Sequence, residues 1–154
     1  MIYVNGRFLL QSLTGVNRFA YELCRAWVQM GIPFILCCPS GSIKGCYDVS
    51  HFNIVVYGWG KSHVWEQLLL PLWFSRIKGE KVLVCLGPLL IRKKIMTIHD
   101  LAFMANPDWY SRSYRLWYRL MTPLCVATSM KILTVSEFSK SEIVRRLSID
   151  DRKI

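Results

Sequence analysis

The sequence predicts an α/β protein built on a Rossmann-like, doubly wound parallel sheet. Three observations carry that expectation. Strand-like runs alternate with segments of helical periodicity along the 154 residues, the pattern of repeated β-then-α units with right-handed crossovers. The stretch Val82-Leu83-Val84-Cys85-Leu86 is continuously apolar, as strands buried on both faces of a parallel sheet are. A further apolar run, Ile95 to Ile98, stops abruptly at His99-Asp100. Open α/β sheets bind ligands at the carboxyl ends of strands, so a histidine and an acid placed there are candidates for chemistry.

Taken in order, Met1 to Asn5 reads as a short strand and Gly6 to Gly15 as a loop. From Val16 a helix follows, with Val16, Phe19, Ala20, Leu23 and Trp27 at helical spacing. Gly31 and Pro33 stop it. Pro33 to Cys38 is a second strand, Pro39 to Tyr47 a Gly- and Ser-containing loop, and Asn53 to Tyr57 a third strand before the Gly58-Trp59-Gly60 turn. Ser62 to Ile77 has helical character, with Pro71 expected to kink or interrupt it. After the Lys81–Leu86 and Ile95–Ile98 strands, a helix is expected from Tyr110 to Thr128 and a strand from Lys131 to Val135. Ser139 with Glu142 has the spacing of a capping box for a final helix ending near Leu147.

At this length one domain with a proper core is expected. The apolar content of 53% and mean hydropathy of +0.26 point to extra apolar surface that meets a second domain, a subunit or a membrane. No run approaches the roughly 18 apolar residues that cross a bilayer. The longest, Val82 to Ile91, contains Gly87-Pro88. The first residues lack the basic and apolar segments of a signal peptide. Six cysteines (24, 37, 38, 46, 85 and 125) form no CxxC pair and no Cys/His cluster. We read them as reduced thiols of a cytoplasmic protein. The net charge of +10 calls for an anionic partner: nucleotide phosphate, nucleic acid or acidic lipid. Nucleic acid ranks last, because the basic residues are dispersed rather than set on one recognition element.

The candidate sites follow from these elements. His99 can hydrogen-bond a sugar or phosphate or move a proton, and Asp100 can orient it. The Thr14-Gly15-Val16 turn puts a glycine and helix N-terminal amides where an anion such as a diphosphate is favoured. It is not GxGxxG, so a nicotinamide-binding assignment has little support. Ser136, after the Lys131–Val135 strand, is either cleft-lining or a helix cap. Arg112, Arg115 and Arg119 fall at i, i+3 and i+7 on one helical face, with Tyr110, Tyr114, Trp117, Tyr118 and Met121 on another. Arginine beside interfacial tryptophan and tyrosine is the composition of a helix on an anionic membrane, and equally of a solvated face over an aromatic core. His63 and Glu66 share a helix face, but no third ligand accompanies them and a metal site is not expected.

In order and spacing, several stretches resemble the N-terminal half of a retaining glycosyltransferase of the group 1, or family 4-like, GT-B type. They are Tyr3-Val4-Asn5-Gly6-Arg7, Thr14-Gly15-Val16-Asn17-Arg18-Phe19-Ala20, Trp65-Glu66-Gln67 with Leu70-Pro71, Thr97-Ile98-His99-Asp100-Leu101 with Pro107, and Thr134-Val135-Ser136-Glu137-Phe138-Ser139-Lys140. Bacterial polysaccharide and lipopolysaccharide mannosyl- or rhamnosyltransferase-like proteins are the nearest in kind. The resemblance implies that residues 1–154 form a Rossmann-like acceptor-side domain, one half of a GT-B fold. It further implies that Gly15 and Val16 lie over the donor diphosphate, His99 sits by the transferred sugar, and Asp100 orients the loop or the histidine. Thr14 stands where relatives often carry another glycine.

The resemblance also implies a donor domain bearing two glutamates eight positions apart. Here glutamates occur only at 22, 66, 80, 137 and 142, and no two have that separation. The expectation is therefore a truncated chain whose C-terminal donor domain is absent and must act in cis or trans. Alone it is expected to be inactive, since one wall of a cleft cannot position or stabilise the transition state. The expected partners are a nucleotide sugar and a saccharide or lipid-linked acceptor at the inner membrane face, with no metal or other cofactor. The competing expectation is a non-catalytic basic module that docks on membrane or a partner through the Tyr110–Thr128 helix, with Arg112, Arg115, Arg119 and Trp117 in contact.

Overall fold

The alternation of apolar runs and amphipathic segments folds as six strands, all parallel in their described pairings, flanked by helices. The computed structural model describes residues 1–60 and 63–154. The start of the expected Ser62–Ile77 helix therefore falls partly outside the described residues. The fold divides into two compact units, Met1–Val84 and Cys85–Ile154.

In the first unit β1 (Ile2–Asn5) lies between β2 (Phe34–Cys38) and β4 (Val82–Cys85), and β3 (Ile54–Val56) flanks β2. The register sets Val4 beside Leu36 and Val84. All three are buried, as the uninterrupted apolar runs require. Helix α1 (Gly15–Gln29) turns Asn17, Ala20 and Cys24 inward. Val16, counted on the apolar face from sequence, is instead exposed in the first turn of the helix. The expected Gly6–Gly15 loop contains a 3₁₀ turn, Gly6–Leu10, whose Phe8 and Leu9 are buried.

Pro71 acts as expected. A π-helical turn, Trp65–Leu69, precedes α2 (Leu70–Arg76), and the amide of Leu70 donates to the carbonyl of Trp65. Proline has no amide to continue an α-helical ladder and crowds the carbonyl four residues back, so the chain widens by one residue just before it. Trp65 is fully buried and its indole N–H donates to the Tyr57 carbonyl at 2.7 Å.

In the second unit β5 (Lys94–Thr97) pairs with β6 (Lys131–Leu133), Thr97 beside Leu133. Helix α4 (Arg112–Thr128) and helix α5 (Glu137–Leu147) cover a core of Met96, Ile98, Met121, Cys125, Ile132 and Ile143. A four-residue helix, α3 (Ala102–Ala105), and a 3₁₀ turn, Pro107–Trp109, were not foreseen, being too short to show periodicity. Tyr110 lies just outside α4, whose N-cap is Ser111. The expected capping box is corrected as well. Ser136, not Ser139, caps α5 by accepting the Ser139 amide at 3.1 Å. Glu142 lies inside the helix and pairs with Arg145 and Arg146.

Lys94 is completely buried at the start of β5. Its ammonium donates to the carbonyls of Ile91 and Cys125, both at 2.9 Å, and to the Thr128 hydroxyl at 2.7 Å. The last two lie in the final turn of α4, where the helix dipole favours a cation. Burial pushes the lysine pKa down. Replacing Lys94 with Met should lower unfolding stability by about 2 kcal/mol, because buried acceptors lose their donor. Urea unfolding followed by circular dichroism measures it, and an unchanged midpoint would mean that the lysine does not anchor the helix.

Candidate functional site

Parallel strands expose their chemistry at their carboxyl ends, and each unit has one such edge. In the first, β1 ends at Asn5 and runs into Gly6-Arg7. Asn5 donates from Nδ2 to Glu66 Oε1 at 2.8 Å, and Arg7 Nη1 is ion-paired with Glu66 Oε2. His63 Nδ1 lies 3.3 Å from the same oxygen, on an exposed ring. His63 and Glu66 do share a face, as their spacing predicted, but the carboxylate is held by Asn5 and Arg7 from the strand end. Sequence reading missed that contact, which joins residues about 60 positions apart and has no local pattern.

Two glycines near this edge differ in kind. A Cβ on Gly6 would lie 2.5 Å from Cys38 Sγ and 3.1 Å from the Cys37 carbonyl oxygen, so β2 packing itself demands glycine. A Cβ on Gly15 would meet nothing within 4 Å, and the residue is not among the positive-φ glycines. Gly15 is the first residue of α1 and is exposed, as is Val16. Thr14 caps the helix by accepting the Asn17 amide at 3.4 Å, and its carbonyl takes the Arg18 amide at 2.8 Å. The amides of Gly15 and Val16 are thus the outermost of the helix, the geometry that favours anions.

In the second unit His99 and Asp100 follow the end of β5 after one intervening residue, Ile98. His99 is half-buried with Nε2 shielded from solvent, while Asp100 is exposed. Burial pushes the His99 pKa down, and the Asp100 carboxylate partly offsets this. Asp100 Oδ1 also accepts the Ala102 amide at 2.9 Å, which fixes the loop at the head of α3. Asp100 lines a small, largely apolar cavity of about 200 Å³ with Ala102, Asn106, Phe138 and Glu142. Beyond β6, an open concavity of about 490 Å³ is lined by Thr134, Val135, Ser136 and Lys140. The Ser136 hydroxyl is engaged in capping α5 and donates to Ser139 Oγ at 3.1 Å. The hydroxyls of Thr97 and Thr134 are buried without a hydrogen-bond partner, so internal bonding is incomplete at the ends of β5 and β6. Neither threonine stood out from sequence, where each reads as an ordinary strand residue.

On α4, of the three arginines expected on one face, Arg112 and Arg119 are exposed and Arg115 lies within 3.9 Å of Asp108. Trp117, grouped from sequence with the tyrosines and Met121 and also named as a membrane-contact candidate, is not part of the tyrosine stack. It is half-exposed, whereas Met121 is buried and Tyr110, Tyr114 and Tyr118 stack at ring separations of 5.1 and 4.3 Å.

The model of a family described as Glycosyltransferase Family 4 matches residues 13–154. No curated protein matches the chain. The chain belongs to Glycosyltransferase Family 4 and is a GT-B N-terminal-type domain. Membership carries with it binding of a nucleotide sugar and an acceptor in general terms.

An NMR titration should place the His99 midpoint below that of an ordinary histidine. Asp100→Asn should lower it further, since the carboxylate favours the imidazolium. The unfolded chain takes up that proton more readily. The stability that His99 contributes is therefore complete above about pH 6.5 and is lost as pH falls through the lower folded value. A midpoint at or above the ordinary value would show a ring that is solvated rather than buried.

Proposed function

We propose that this family 4 domain is the acceptor-side half of a retaining GT-B glycosyltransferase. The complete enzyme moves a hexose, mannose- or rhamnose-like, from a nucleotide diphosphate sugar to a saccharide or lipid-linked acceptor. It works as a peripheral protein at the inner membrane face, in bacterial polysaccharide synthesis.

The observation that carries this reading is Gly15, an exposed glycine at the head of α1 that neither backbone conformation nor a neighbouring atom demands. Space is left there for a ligand to approach the outermost amides. As the anomeric bond breaks, negative charge gathers on the departing diphosphate. Amides at a helix N-terminus stabilise it without having to reorganise.

His99, kept neutral near pH 7 by burial, hydrogen-bonds the transferred sugar and steadies charge at the reacting centre. Asp100 positions it by fixing the following loop. Ser136 contributes as a lining residue, its hydroxyl already committed to α5. The donor-side pair of glutamates is not carried by these residues, since no two glutamates here are eight apart. In this reading a donor-binding domain joins in cis or trans, and the isolated chain does not turn over substrate.

The test is transfer from nucleotide sugars with a family 4 donor-binding domain supplied in trans. Gly15→Ala should leave unfolding stability within about 0.5 kcal/mol of the parent and lower kcat/KM about tenfold or more. His99→Ala should abolish transfer in a protein with an unchanged fold. Undiminished turnover by Gly15→Ala removes the diphosphate role, and no transfer by any well-folded pair overturns the reading.

A further inference from the structure

Helix α4 spends its inner face on the core of the second unit, through Met121, Cys125 and Val126. Its outer face is not polar. Leu116, Leu120 and Leu124 form an i, i+4, i+8 row, with Trp117 beside it. Leu116 is 72% exposed and Leu120 60% exposed. Arg112, Arg115 and Arg119 run along one flank of that row, and the helix has no acidic residue.

From this arrangement we infer that α4 lies flat on an anionic lipid surface. The leucine row and Trp117 sink into the boundary between headgroups and acyl chains, and the arginines meet lipid phosphates. The charge pattern selects the occupant. A second copy of the helix would bring arginine rows against one another, and the whole chain carries +10. A nucleic acid would meet the arginines but leave the leucines in water. An anionic bilayer supplies phosphates and an apolar layer side by side. No helix among the described residues is long and apolar enough to cross a membrane, so the contact is parallel to the surface.

This attachment rests on the reading above only for its location at the membrane; the face itself is a property of α4. It is tested without any sugar nucleotide, so loss of docking and loss of transfer are separable. The chain is floated with vesicles of phosphatidylcholine alone or mixed with phosphatidylglycerol. Binding should require phosphatidylglycerol and weaken as salt rises. The double substitution L116S/L120S, at exposed positions, should weaken binding about tenfold or more. Changing Arg112, Arg115 and Arg119 together to Gln should weaken it about a hundredfold, with the native circular dichroism spectrum retained in both. A folded chain that ignores anionic vesicles, or binding untouched by both sets of changes, overturns the inference. So does a self-associated chain that L116S/L120S turns into a monomer, which would make the face an interface between copies.

Discussion

Parallel pairing is the constraint on which the rest of this molecule depends. Within a unit it sends every strand in the same direction, so the carboxyl ends gather along one edge. Crossovers then place helix N-termini near that edge. The strand interiors are consumed by burial, as Val4, Leu36, Leu83, Met96 and Ile132 are. Polar side chains with freedom to act are therefore confined to the first residues past the strands. Asn5 ends β1 and Arg7 comes just after it, His99 and Asp100 follow β5, and Ser136 follows β6. None of these positions was chosen by local propensity; the direction of the sheet assigns them.

The buried charges divide by what already satisfies them. Lys94 is surrounded by three acceptors, two of them in the last turn of α4, and its charge is spent on closing that helix against β5. Glu66 is likewise held by Asn5 and Arg7, so it fastens the segment leading into α2 to the end of β1. Both look like functional groups when only burial and residue type are considered. Their hydrogen bonds assign them to architecture instead. His99 differs, because it meets the edge of its unit with its proton affinity lowered by burial and only partly restored by Asp100.

Much of the fold was legible because periodicity is a local property. The apolar runs located the strands to within a residue or two, and Pro71 announced the break between Trp65 and α2. The misreadings arise where local patterns compete or contacts are long-range. Ser139 and Glu142 have capping-box spacing, but Ser136 lies three residues earlier and reaches the Ser139 amide, so the helix starts there. Trp117 was grouped with the tyrosines by composition, yet its position on the helix carries it outward. The bond between Arg7 and Glu66 could not be read from either segment alone. Sequence could name candidates such as Gly15 and His99, but not the side-chain contacts that the fold supplies, such as Arg7 with Glu66.

The two glycines show how function separates from fold in a chain like this. Gly6 and Gly15 both stand in stretches that resemble glycosyltransferases. Gly6 is explained by Cys38 Sγ and the Cys37 carbonyl, which leave no room for a Cβ. Its presence therefore says nothing about a ligand. Gly15 has open space where a Cβ would stand and lies outside the positive-φ set, so the protein's own packing gives no reason for it. The same subtraction applies to α4. Met121 and Cys125 are accounted for by the core, while Leu116 and Leu120 are large apolar side chains that the fold leaves in water. Residues that the fold consumes carry information about the fold. Those it leaves unexplained are where a ligand, an acceptor or a surface outside the protein has to be sought.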